Sequence, residues 1–171
     1  MITGLFWAFS GLAILAALLC ISARSPVVSA LALVVTLFAL AGDYILLDAQ
    51  FIAVLQVLVY AGAIMVLFLF VIMLLNMGRQ AGSDVKGWIG RVAAVALGGA
   101  LIVQLVPLSA LAPPDQIRQP VGALAASAAE KGAVGLVAGP LFSAYLVPFE
   151  ITSLLLLAAV VGAVVLAKRK L

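Results

Sequence analysis

From Gln50 to Met77 the chain runs for 28 residues without one charged side chain. At 1.5 Å per residue this is roughly 42 Å of helix, more than the hydrocarbon core of a bilayer requires, so a helix here must tilt, overshoot or bend. A run of this length is far beyond a barrel strand and cannot be hidden in a soluble domain of ordinary composition. The rest of the chain agrees: 67% of the 171 residues are hydrophobic and 9% are charged. An all-α integral membrane protein follows, because a helix satisfies its own backbone polar groups in lipid.

Five transmembrane helices are expected, over residues 2–22, 27–47, 50–77, 88–111 and 149–167. Arg24 and Pro26 break the first from the second, and Lys168, Arg169 and Lys170 close the fifth. Residues 112–148, rich in Ala, Gly and Pro, are expected to form an external loop. With five spans, Arg24, Arg79, Lys86, Arg91, Lys168, Arg169 and Lys170 share one side of the membrane, against Arg118 and Lys131 on the other. The excess marks the cytoplasmic side, with the N-terminus outside and the C-terminus in the cytoplasm. No basic residue precedes the first apolar run, so that span is expected to be retained and not cleaved as a signal peptide.

The composition excludes several kinds of chemistry. There is no His and one Cys, Cys20, so haem, iron–sulfur and zinc sites lack ligands within the chain. Neither of the glycine-rich nucleotide motifs occurs. The expected catalytic, cofactor-binding and metal residues are therefore none, and redox chemistry is open to this chain only in company. The net charge of +3 sits at helix ends, where it orients a membrane protein and does not indicate nucleic acid.

Several polar residues within the spans need partners. Ser29, Ala32, Thr36, Ala39 and Asp43 follow one another at three- and four-residue spacing, a stripe of small and polar side chains that is expected to meet protein. Asp43 has two readings: an acid reaching the headgroups, or part of a proton relay. Gln56, Tyr60 and Ala63 stand at i, i+4 and i+7, so a regular helix puts the amide and the phenol on one face, toward a neighbour or trapped water. The following Ala61, Gly62 and Ala63 permit either a close helix crossing or a loss of regular hydrogen bonding. Asp48 is expected to cap the third helix and Pro148 to start the fifth, with Glu150 in its first turn. Trp88 and Arg91 read as an interfacial pair, and Ala94, Gly98 and Gly99 as packing positions.

The stretch from Gln56 to Asn76, QVLVYAGAIMVLFLFVIMLLN, resembles the third helix of subunit J of the proton-pumping NADH:quinone oxidoreductase, respiratory complex I, the counterpart of mitochondrial chain 6. Ser25 to Leu31 and Tyr145 to Ala158 resemble the starts of that family's second and fifth helices, and the likeness is weakest over residues 78–140. The resemblance implies a subunit with no cofactor of its own. It would pack beside membrane subunits A, K and H and the antiporter-like pumping subunits, with FMN, iron–sulfur clusters and quinone held by partners. It also implies a π-bulge at Tyr60, Ala61 and Gly62, whose conversion to regular helix would turn Met65 and Phe68 to another face, since each residue subtends about 100°. Two positions depart from the family pattern: some relatives carry Glu where this chain has Gln56, and Asp43 stands where many carry an apolar residue.

The reading is a membrane subunit that couples electron transfer from NADH to quinone with proton translocation, in a bacterial-type inner membrane. Asp43 and Glu150 are its possible relay carboxylates. The alternative is a related subunit of a cation/proton antiporter or membrane-bound hydrogenase. A small independent transporter is disfavoured, because the long third helix carries no paired carboxylates.

Overall fold

The structure, a computed structural model, describes residues 2–75, 88–110 and 122–168. The described residues are helical, without strands. Seven α-helices are named in chain order: α1 (Ile2–Ser22), α2 (Pro26–Leu46), α3 (Gln50–Leu55), α4 (Met65–Leu74), α5 (Trp88–Ala110), α6 (Ala123–Leu141) and α7 (Leu146–Ala167). Between α3 and α4 the chain continues without a break through a π-helical segment, Gln56–Ile64, so that Gln50–Leu74 is one long rod. Four helices are long and apolar enough to cross a membrane: Ile2–Ser22, Pro26–Leu46, Gln50–Leu74 and Leu146–Ala167. The apolar part of α5, Val92–Pro107, is shorter.

The core lies where α2 meets α1 on one side and the long rod on the other. Its buried apolar residues are mostly alanines: Ala13 and Ala16 of α1, Ala30, Ala32, Ala39 and Ala41 of α2, Ala53 and Ala61 of the rod. Lipid gives helices no hydrophobic reason to associate, so close backbone approach through small side chains supplies the contact. Met65 and Ile72 fill the wider end against Ala30, with Leu33, Val34, Leu37 and Leu69 around them. The tightest of the described glycine positions is Gly42, where an added Cβ would stand 2.8 Å from the Phe9 ring of α1. Neither α5 nor α7 packs extensively on another helix, and α7 has no buried residue. At Gly98 and Gly99 no atom of the described residues outside the local helix lies within 4 Å of an added Cβ, so these expected packing positions meet no other described element.

The turn between α2 and α3 corrects the role given to Asp48. The residue before α3 is Ala49, and no side chain caps that helix. Asp48 instead has φ +59°, and the backbone around it closes the end of α2: its N–H bonds the Ile45 carbonyl at 3.1 Å and the Ala49 N–H bonds the Tyr44 carbonyl at 2.9 Å. This pair of bonds is the Schellman arrangement, which needs one residue in the left-handed region. Asp tolerates that region better than most side chains but not as freely as Gly. Asp48→Val, which puts a β-branched residue at positive φ, is expected to cost about 1–2 kcal/mol, whereas Asp48→Gly keeps or raises stability. Thermal midpoints of the assembled protein check the order.

Two boundaries also move. α7 begins at Leu146, three residues before the expected start, with Pro148 tolerated in a first turn whose N–H groups have no helical partner anyway. Glu150 therefore lies beyond the first turn, where the dipole argument has lapsed. The segment expected as a loop contains α6, kinked at Gly132, where φ is +75°. The ends of the expected third and fourth spans (Asn76, Met77 and Leu111), the basic residues Arg79, Lys86, Arg118, Arg169 and Lys170, and the side chains of Trp88 and Arg91 lie outside the described residues.

Candidate functional site

The π segment and the face of α2 beside it form the candidate site. Along the rod the buried residues are Ala53, Gln56, Ala61, Met65 and Ile72. The step from Gln56 to Ala61 is five residues, where a regular helix returns to the same face after three or four. The Met65 N–H likewise reaches back five residues, to the Tyr60 carbonyl, while also meeting that of Gly62. One extra residue is thus taken up between the part of the rod above the segment and the part below it.

This register overturns the expected Gln56–Tyr60–Ala63 face. Gln56 is buried against α2 at 9% exposure, but Tyr60 is 53% exposed and Ala63 is also exposed, with Ala61 on the inward side instead. The phenol looks away from the core of its own chain. Helical arithmetic at 3.6 residues per turn fails here because the backbone hydrogen bonds span five residues and not four.

Gly62 sits inside this segment. A Cβ on Gly62 would lie 3.1 Å from the Val57 carbonyl oxygen, five residues back, the acceptor that a π pattern brings under it. That contact is tighter than ordinary van der Waals packing and is with backbone, which yields little. Tyr60, Ala61 and Gly62 all lie within Gln56–Ile64.

The α2 stripe is met from within the chain. The Ser29 hydroxyl donates to the Cys20 carbonyl at 2.6 Å, with its Oγ 3.4 Å from Cys20 Sγ, and the Thr36 hydroxyl donates to its own helix at Ala32, at 3.1 Å. Ser10 of α1 donates to Asp43 Oδ2 at 3.1 Å. Asp43 is 8% exposed, so the reading of it as a headgroup-reaching acid is replaced by that of a carboxyl enclosed between helices. Ser10 was not singled out from the sequence; the signal available was a lone hydroxyl in the middle of an apolar helix. Glu150 is exposed on α7 and is not brought near Asp43 by any packing of that helix on α1 or α2. Among the described residues no three His, Cys, Asp or Glu side chains cluster.

A family model described as NADH-ubiquinone/plastoquinone oxidoreductase chain 6 matches residues 16–166. The chain belongs to that family. Among its chain 6 relatives, NADH-quinone oxidoreductase subunit J of Pseudomonas aeruginosa is 37% identical, over 92% of this chain and 92% of its own. Subunit J of Rhodobacter capsulatus is 35% identical over 96% of this chain and 80% of its own. The chloroplastic NAD(P)H-quinone oxidoreductase subunit 6 of Chlorokybus atmophyticus is 39% identical over 78% of this chain and 68% of its own. This chain 6 protein is accordingly a multi-pass membrane subunit of NADH–quinone oxidoreductase.

Proposed function

We propose that this subunit couples quinone reduction to proton translocation through the π segment of its long helix, which alternates between π and regular α pairing. The observation that carries the reading is the five-residue step between Gln56 and Ala61, the geometry of a helix holding one residue more than α pairing allows. Releasing that residue rotates everything beyond it by about 100°, which swings buried Met65, exposed Phe68 and their neighbours onto a different face. Such a turn opens or closes a water path without any titratable group on the rod itself. Two discrete pairings of similar energy are what a switch requires.

The test is accessibility. In a Cys20→Ser background, Phe68→Cys is labelled by a membrane-permeant thiol reagent with and without NADH and quinone. The labelling rate is expected to change on turnover, and an unchanged rate counts against rotation.

In the same reading the chain has five spans, α5 being the fourth, with its N-terminus outside and its C-terminus in the cytoplasm. The asymmetry of Lys and Arg supports this. A reporter fused after Leu171 is expected to be cytoplasmic and one inserted near Gln119 external; the opposite signals overturn the arrangement. Subunits A, H and K and the antiporter-like subunits are the proposed neighbours, with lipid over the remaining surface. The FMN, clusters and quinone of the enzyme belong to partner chains. A bacterial inner membrane is supported by the Pseudomonas relative.

A further inference from the structure

The two oxygens of Asp43 are in different situations. Oδ2 accepts the Ser10 hydroxyl at 3.1 Å, while Oδ1 is fully buried and has no hydrogen-bond partner among the described residues. The elements packed about it offer no cation: neither α1, α2 nor residues 50–75 contain Lys, Arg or His. Their other titratable groups are Cys20, Tyr44 and Tyr60, and Arg24 lies 19 positions away along α2, roughly 28 Å at helical rise. A carboxylate kept only for structure at such a site is normally met by a cation or by several donors. One hydroxyl does not amount to that.

We propose that Asp43 is a proton-exchanging carboxyl of the membrane arm. Oδ1 takes a proton from a water-borne carrier, leaving water and a neutral acid, and returns it in the reverse step. No electron moves. The Ser10 hydroxyl holds Oδ2 in both forms, so the proton is directed to Oδ1, the oxygen that no donor among the described residues meets. The Phe9 ring, seated on Gly42, fixes α1 against α2 at this level and keeps Ser10 in register with Asp43. The inference rests on the reading of a proton-translocating enzyme and stands apart from the rotation of the π segment.

The test uses the assembled enzyme in its membrane, treated with dicyclohexylcarbodiimide, an apolar reagent for carboxylic acids, and mapped by peptide mass spectrometry. Asp43 is expected to be labelled at rest and labelled at a different rate during NADH oxidation, whether or not Phe68→Cys changes its accessibility. Asp43→Asn keeps the shape and the Ser10 contact but carries no exchangeable acid. In verified assemblies its proton-coupled turnover is expected to fall about 10²-fold, the lower end of what a positioned proton-transfer group contributes, with partial recovery in Asp43→Glu. If Asp43→Asn does not assemble, labelling of the native enzyme decides. An unlabelled Asp43, or an assembled Asp43→Asn enzyme pumping at the native rate, overturns the proposal and leaves a structural clasp between α1 and α2.

Discussion

Gly62→Ala is expected to leave the complex assembled and to slow it severely, and Gly62→Val to do so more strongly or to block assembly. In the π form a Cβ at this position meets the Val57 carbonyl oxygen at 3.1 Å, and relieving such an overlap against backbone costs about 1–3 kcal/mol. In a regular helix the same Cβ is accommodated as at any other residue. The overlap therefore pushes toward α pairing. It shifts a balanced equilibrium by roughly 1–3 kcal/mol, a factor of about 5 to 150. Tyr60→Phe works differently: the side chain is exposed in its own chain, and in the proposed arrangement its hydroxyl meets a neighbouring subunit, so its loss costs about 0.5–1.5 kcal/mol. Proton pumping and quinone reduction, measured in membranes where assembly has been verified, separate the cases. Full turnover in all assembled variants would leave Tyr60 and Gly62 as packing residues.

Much of this architecture is legible in the chain, and the places where it is not have identifiable causes. Span boundaries follow from charge and hydropathy, which act locally and add up over twenty residues, so α1, α2 and the rod fall where the pattern puts them. The α2 stripe is readable because Ser, Thr and Asp have no reason to face lipid. The identity of its partner is not readable, since Ser10 and Phe9 lie some 33 positions earlier and only the helix hairpin brings them together. The direction of Tyr60 is lost for a subtler reason. A spacing argument assumes one helical period, and a single extra residue in the hydrogen-bond ladder re-aims every side chain near it. Asp48 shows how a correct residue type is given the wrong helix: Asp suits a cap and also tolerates positive φ, and composition alone does not choose between them. α6 goes unseen because Ala and Gly are read as loop when Pro flanks them, although Ala is the best helix former there is.

The chain expressed without its sister subunits is expected to be recovered poorly, as aggregate or proteolytic fragments, and to become stable only on co-expression. The reason lies in how unevenly its contacts are distributed. α1, α2 and the rod hold one another through an alanine-lined core, but α5 and α7 make no extended contact with that core, and nothing among the described residues fixes where they stand. In lipid no hydrophobic force draws two apolar helices together, so their positions must be set by packing and hydrogen bonds to other proteins. The outward phenol of Tyr60 and the unpartnered Oδ1 of Asp43 point the same way, since each apolar-solvated polar group left alone costs about 1–3 kcal/mol. Binding partners raise stability by mass action, and removing them withdraws all of it at once. The check is size-exclusion behaviour and protease resistance in mild detergent, with and without co-expressed membrane subunits. A monodisperse monomer resistant to protease in the loops around α5 and α7 would show that the chain holds these helices by itself. That result would mark the outward face of the rod, Tyr60 included, as a lipid surface and not the proposed subunit interface.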